Sequence, residues 1–306
     1  MTNFDWLLDL KPLFSAQKSW LDGSYNKSTS AHLVCPPGKP FYIACGAGLL
    51  AEHVRRFKFA PNIIQRLGQV TDAKGRSVFQ ESFLNHLQRI RLRAQVNAAP
   101  EGTLLLPGEP VLTIQAPELQ VLLLESAIHL LIWESTYWAT ITALEQWEKG
   151  LHAEEETPLP SNYPFNQNGW KKRAKYIGGG SSEDVESADA WIGLTKIEHA
   201  SGQPLLQIRR LFKGEHPLGD VWLTASQDAK ASVSHTHIQF LNEKSGKAAE
   251  IQMSRFQNLM QPVLVKGHPA LNSPSLDYLR QRTWKQLEAF HGLNFEDYLR
   301  GWILED

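Results

Sequence analysis

The chain has 306 residues, of which 42% are hydrophobic and 21% charged, and its formal net charge is -1. This composition suits a folded protein with a large core, and the near-neutral charge argues against nucleic-acid or anionic-membrane binding. The two cysteines lack zinc-ligand or disulfide spacing, and the first residues lack a signal-peptide pattern, so we expect a cytoplasmic protein without a membrane segment.

The first 115 residues show helical and extended patterns in turn. The polar stretch LDGSYNKSTS predicts a turn, and the proline- and glycine-bearing sequence after it predicts a loop. Apolar runs predict a short strand at 41–45, a helix after it and a half-buried strand at 90–98. Two further runs, 104–106 and 111–114, predict strands joined by a proline-fixed turn.

The stretch that follows predicts one long helix with apolar residues on several faces. Such a helix has to be covered by the core of its own chain or by a partner subunit. We therefore expect a homo-oligomer with residues 122–147 at or near the interface.

The second half of the chain predicts a sheet. Residues 151–170 form a polar, proline-bearing connection, and strand-like segments separated by turns run from 205 to 265. A terminal helix is expected after a cap region at Ser275. The predicted class is α+β, with a flanking α/β domain (1–150), a linker with a basic and glycine-rich segment (151–203), and a mainly antiparallel sheet with the terminal helix (204–306).

Four segments together resemble one family. PEGTLLLPGEPVLTIQAPELQVLLLES is similar to the strand-turn-strand-helix unit of nicotinate/nicotinamide phosphoribosyltransferases, and FYIACGAGLLAEHVRRFKF to their strand, A-G-L turn and helix. LDGSYNKS resembles their T-D-x-Y stretch, and SPSLDYLRQRTWKQL their carboxy-terminal helix. The resemblance implies a role in NAD salvage, with a pyridine base or a phosphoribosyl compound as ligand.

The departures from the family concern its barrel. The D-S-G-D segment and the glycine-rich phosphate loop are missing, and Leu144 replaces the arginine of A-T-x-x-A-R. About fifty residues separate Gly150 from Pro204, too few for several βα units of roughly thirty residues each. We expect no complete TIM barrel, and two hypotheses stay open. The chain is a minimal phosphoribosyltransferase, or it is a non-catalytic relative. In the second case it would act as a regulatory or partner subunit of another chain that supplies a barrel.

The resemblance also implies site residues. Tyr25 would stack on a pyridine ring, and Lys171 and Lys172 stand at the family's paired arginines, where they would bind phosphate. His199, in TKIEHAS, would be the catalytic histidine that some relatives phosphorylate. Further substrate contacts would come from Thr140, Gly178 and Gly179.

Each of these residues also has a structural interpretation. Tyr25 could pack on the surface, the lysines could form a solvated charge run, and His199 could belong to a strand without a catalytic role. Lysine also lacks the planar fork with which arginine binds phosphate. No cofactor is certain. Mg²⁺ is expected only if the chain is catalytic, and His235 and His237 lack a third metal ligand in the sequence.

Overall fold

The computed structural model describes residues 10–150, 167–179, 198–199, 206–224, 237–271, 274–295 and 298–303. The helices are α1 (Leu10–Leu21), α2 (Ala47–Arg55), α3 (Pro61–Gly68), α4 (Glu81–Arg89), α5 (Glu118–Ile128), α6 (Glu134–Glu148), α7 (Gln167–Ile177) and α8 (Leu276–Phe290). The strands are β1 (Ser28–Val34), β2 (Tyr42–Ile43), β3 (Gln95–Ala98), β4 (Leu104–Leu105), β5 (Pro110–Pro117), β6 (Glu198–His199), β7 (Leu206–Lys213), β8 (His216–Thr224), β9 (His237–Asn242), β10 (Ala248–Gln252), β11 (Arg255–Asn258), β12 (Gln261–Val265), β13 (His268–Pro269) and β14 (Leu299–Ile303).

The first sheet has the order β13-β12-β3-β5-β1-β6, and its neighbouring strands are antiparallel. Side chains alternate between the two faces of a strand, and one face of this sheet is apolar. This face packs in one core with residues of α2 and α5, such as Leu50 and Leu124. The buried residues of the face are Ala31, Leu33, Val96, Ala98, Leu112 and Ile114.

The second sheet has the order β10-β9-β14-β8-β7-β11 and is antiparallel except for the pair β14–β8. Its edge strands β10 and β11 are separated in the chain only by Met253 and Ser254. Two residues cannot span a flat six-stranded sheet, so the sheet curls until its edges approach each other. The curled sheet contributes a buried apolar cluster of Leu211, Val221, Phe240, Ile251 and Met253.

These elements confirm the α+β class and the antiparallel carboxy-terminal strands, and the described residues contain no closed parallel barrel. The cap at Ser275 is confirmed, since its side chain accepts a hydrogen bond from the Tyr278 amide. Strand β12 pairs with β3 and thus joins the first sheet rather than the second. The three-part division of the chain stays a prediction.

The single long apolar helix is not found in the expected form. Helices α5 and α6 are separated by a π-helical turn, His129–Trp133. A π turn interrupts the regular i→i−4 hydrogen bonds, which shortens each α-helical run. Among the described helices, none combines the length and apolar character needed to cross a membrane.

A buried arginine joins the second sheet to the first 150 residues. Arg210 donates to the carboxylate of Asp220 through Nε and Nη2 at 2.9 Å, and through Nη1 to the Leu104 carbonyl at 2.8 Å. Burial and the neighbouring Asp220 raise the pKa of Glu109, whose carboxylate lies 3.8 Å from the same guanidinium. The buried guanidinium of Arg210 therefore finds its hydrogen-bonding partners within the chain.

Candidate functional site

Helix α7, which carries the basic run of the sequence, packs closely against α6. A Cβ atom placed on Gly178 would lie 2.2 Å from the Ala139 carbonyl oxygen, so only glycine allows this approach. Gly179 follows with a positive φ of 98° and ends the helix. The contact fixes the carboxyl end of α7 on the α6 backbone.

The inner face of α7 carries Arg173. Its Nη1 lies 3.0 Å from Glu101 Oε1, and its Nη2 donates to Glu101 Oε2. Oε1 of Glu101 also accepts from the amides of Gly46 at 2.7 Å and Gly48 at 3.4 Å, at the amino terminus of α2. One buried carboxylate thus connects the amino terminus of α2 to α7.

The electrostatics favour this contact. Burial alone would raise the pKa of Glu101, but Arg173 and the two amides outweigh it and hold the pKa below its usual range. Burial, reinforced by Glu101, raises the pKa of the neighbouring Cys45 thiol to about 12. Cys45 therefore stays protonated at neutral pH and is a poor nucleophile.

The outer face of α7 carries lysines beside aromatic rings. The Nζ atoms of Lys171 and Lys175 lie 5.5 and 5.2 Å from the ring centre of Trp138 on α6. Lys171 is also 5.6 Å from the ring of Trp170, while Lys172 is half-buried on the same helix. Burial raises the pKa of the nearby Glu134, and Lys171 partly offsets that rise. Two ammonium groups therefore meet at one aromatic side chain.

Several predicted site residues lie on this α6–α7 pair. Thr140 is buried, and its hydroxyl accepts from the Ile43 amide at 2.9 Å and donates to the Thr136 carbonyl at 2.6 Å. The amides of Gly178 and Gly179 already donate to Ala174 and Tyr176 carbonyls. The charged residues among those predicted here are Lys171, whose ammonium lies beside Trp138, Trp170 and Glu134, and the half-buried Lys172.

Two predicted residues lie elsewhere. Tyr25 packs beside Trp20 at 4.5 Å and His86 at 5.7 Å between ring centres, in the cluster formed with α1, α3 and α4. His199 pairs with Ala31 at the β6 edge of the first sheet, and its side chain lies outside the described residues. The structure does not bring Tyr25 into contact with the lysines of α7.

Arg173 and Glu101 were missed from the sequence. Arg173 belongs to the same run as the two lysines, and only its helical position distinguishes it. Trp170, Arg173 and Ile177 are three and four residues apart and share a face, which the structure buries. Helical periodicity within KKR could have separated an inward arginine from outward lysines.

His237, half of the histidine pair considered for a metal, lies with Nδ1 2.9 Å from Glu250 Oε1 on neighbouring strands. His235 lies outside the described residues. Within the described ranges, no group of three or more His, Cys, Asp or Glu side chains is arranged to hold a metal ion.

Comparisons with known proteins agree with the sequence resemblance. No protein-family model matches the chain. It is 31% identical over 93 residues to nicotinate phosphoribosyltransferase pncB2 of Mycobacterium tuberculosis, covering 30% of this chain and 19% of that protein. It is 27% identical over 110 residues to pncB1 of the same organism, covering 35% and 23%. The chain thus matches about a fifth of the length of these relatives.

Solved structures show the same likeness over most of the chain. Human nicotinic acid phosphoribosyltransferase aligns with a TM-score of 0.71 and 14% identity, covering 97% of each chain. Nicotinate-nucleotide pyrophosphorylase from Pyrococcus furiosus aligns with a TM-score of 0.53 and 12% identity, covering 96% of this chain and 98% of that one. At such identities the likeness is one of fold. Together with the partial sequence matches, it confirms the resemblance to nicotinate phosphoribosyltransferases.

Proposed function

We propose that this chain, a nicotinate phosphoribosyltransferase-like protein, binds a phosphoribosyl compound or a pyridine base of NAD salvage. The observation that carries the proposal is the outer face of α7. There, lysine side chains stand on a helix whose inner face is fixed by Arg173 and Gly178. The mycobacterial and human relatives are phosphoribosyltransferases that act on nicotinate (nicotinic acid) by their printed names, and they supply the choice of ligand.

Phosphate binding by Lys171 and Lys172 follows from charge and rigidity. An ammonium group held beside an aromatic ring on a fixed helix loses less freedom when it binds an anion than one on a mobile loop. Lys175, on the same face as Lys171, adds a third cation near the site. The backbone amides of Gly178 and Gly179 are not available to phosphate, because both already donate hydrogen bonds within the chain.

Catalytic turnover requires more groups than binding of the phosphoribosyl ligand does. The family's D-S-G-D segment is absent from the sequence, so turnover would need charged groups from another subunit or chain. In that case His199 is the catalytic candidate, and the chain would act as a homo-oligomer or with a partner that supplies a barrel. Any Mg²⁺ would arrive with the pyrophosphate of the ligand.

Calorimetric titration with 5-phosphoribosyl-1-pyrophosphate and with nicotinate tests the binding part. Replacing Lys171 and Lys172 together with alanine removes two charge-assisted contacts of roughly 1.5–3 kcal/mol each, so phosphoribosyl-pyrophosphate affinity should fall about a hundredfold or more. Replacing Lys244 and Lys247, in the turn between β9 and β10, is the matched control and should leave affinity unchanged.

Four results would decide between the alternatives. A wild-type protein that binds neither compound overturns the proposal. Equal binding by the lysine double mutant places the phosphate site elsewhere. Binding without formation of nicotinate mononucleotide, while light scattering shows a homo-oligomer, favours the non-catalytic relative, and product formation that His199→Asn abolishes favours the enzyme.

A further inference from the structure

Glu134 is the first residue of α6 and lies one helical turn before Trp138, on the same side of that helix. Helices α6 and α7 run in the same direction past each other. The Nζ atom of Lys171 is 5.5 Å from the ring centre of Trp138, and eight residues later on both helices a Cβ atom on Gly179 would lie 3.5 Å from the Gln146 side chain. Lys171, near the amino end of α7, is therefore level with the first turn of α6, where Glu134 stands.

The carboxylate of Glu134 is half-buried and is not used by the fold. It accepts no hydrogen bond and forms no ion pair within the part of the chain that the structure describes. Burial raises the pKa of this carboxyl, and the charge of the nearby Lys171 offsets only part of the rise. Holding a carboxylate here thus costs free energy that contacts within the chain do not recover.

A carboxylate beside Lys171 also opposes the binding of a bare phosphate. Both groups are anions, and their repulsion at short range weakens the attraction that the lysines exert on phosphate. A glutamine has nearly the same shape and would remove this repulsion, so a site for inorganic phosphate alone gains nothing from Glu134. A carboxylate suits a ligand that carries hydroxyl groups next to its phosphate, because its oxygens accept hydrogen bonds and hydroxyls donate them.

We infer that Glu134 is a specificity-determining residue that accepts hydrogen bonds from the ribose hydroxyls of a phosphoribosyl ligand while Lys171 binds a phosphate group of the same ligand. This inference rests on the proposed function. The two neighbouring hydroxyls of a ribose match the two oxygens of one carboxylate. A ligand that supplies these donors offsets the repulsion between Glu134 and phosphate, whereas inorganic phosphate does not. The site therefore selects phosphoribosyl compounds over free phosphate.

Two ligands of nearly equal charge test this inference. The protein is titrated calorimetrically with ribose 5-phosphate and with inorganic phosphate, at pH 8 and fixed ionic strength. The wild type should bind ribose 5-phosphate about tenfold more tightly, the effect of a charge-assisted hydrogen bond. Glu134→Gln should bind inorganic phosphate more tightly and ribose 5-phosphate more weakly, so that this preference is lost. Glu145→Gln, which removes an exposed carboxylate from the same helix, is the matched control and should keep the preference.

The outcomes separate this inference from the proposed function. The repulsion acts on both ligands alike, so a Glu134→Gln variant that tightens both by the same factor, or changes neither, overturns the inference. A wild type without a preference for ribose 5-phosphate, including one that binds only phosphoribosyl pyrophosphate, also overturns it and leaves the proposed function standing. A wild type that binds none of these compounds, nor nicotinate, overturns both.

Discussion

Two buried polar regions of this chain differ in how their hydrogen-bonding groups are satisfied. Around Glu101, the carboxylate receives bonds from Arg173, Gly46 and Gly48. At the centre of the first sheet, the hydroxyl of Thr113 is equally buried and lacks a partner within the described residues. Burial alone therefore does not identify a functional residue. The fold accounts for the satisfied carboxylate, whereas the unpaired Thr113 hydroxyl adds no hydrogen bond to the stability of the folded chain.

The largest expected effect comes from breaking the satisfied region. Arg173→Met should lower the free energy of unfolding by roughly 3–5 kcal/mol, because it leaves Glu101 buried without its cation. Urea denaturation measures this loss. Lys172→Met, the adjacent position on α7, is the matched control and should change stability by less than about 0.5 kcal/mol.

The pH dependence of the free energy of unfolding gives a second test of the Arg173–Glu101 pair. The pKa of Glu101 is lower in the folded protein, so its contribution is present above its unfolded pKa and is lost as pH falls through the folded value. Arg173→Met should reduce this acid-induced loss, since the carboxylate then lacks its main stabilising charge. Parallel pH profiles for the wild type and the variant would contradict the assigned role of the pair.

A smaller effect is expected from the close packing of α7 on α6. Gly178→Ala should destabilise the protein by about 1–3 kcal/mol, because its Cβ would meet the Ala139 carbonyl oxygen at 2.2 Å. Gly68→Ala, in α3, places its Cβ 3.5 Å from the Leu84 side chain, an ordinary contact. That variant should be neutral or stabilising by roughly 0.5–1 kcal/mol. Thermal denaturation of both variants compares them, and equal destabilisation would argue against close α6–α7 packing.

Much of the fold could be predicted from local patterns. Helix α2, strands β4 and β5, the cap at Ser275 and the antiparallel strands of the second half follow from apolar periodicity and turn residues. Strand β1 was missed, because its alternate residues are polar and the sequence STSAHLV looks like a loop. The polar residues that concealed the strand, Ser30 and His32, are buried on the face of the sheet opposite its apolar core.

The remaining features depend on contacts between residues that are far apart in the sequence. The pairing of β12 with β3 and of Arg173 with Glu101 joins residues far apart in the chain, and neither partner is marked locally. The π turn between α5 and α6 depends on how the bulky residues 129–133 pack, which periodicity does not show. The lysines of α7 could be found from the sequence, but their separation from Arg173 required the orientation of the helix.

The smallest expected effect comes from a comparison of two buried threonines. The hydroxyl of Thr140 is hydrogen-bonded, and that of Thr113 has no partner within the described residues. Thr140→Val removes a hydroxyl that accepts from the Ile43 amide and donates to Thr136, so it should cost about 1–3 kcal/mol by leaving that amide unsatisfied. Thr113→Val replaces a buried, unpaired hydroxyl with a methyl group of similar shape, so in the absence of ligand it should be neutral or stabilising by up to about 1 kcal/mol. Urea denaturation of both variants without ligand measures the contrast. If Thr113→Val destabilises the free protein as much as Thr140→Val does, its hydroxyl already has a partner, and the sheet centre is a structural region like the one around Glu101. If it is neutral or stabilising, the Thr113 hydroxyl contributes no hydrogen bond to the stability of the folded chain, in contrast to the hydroxyl of Thr140.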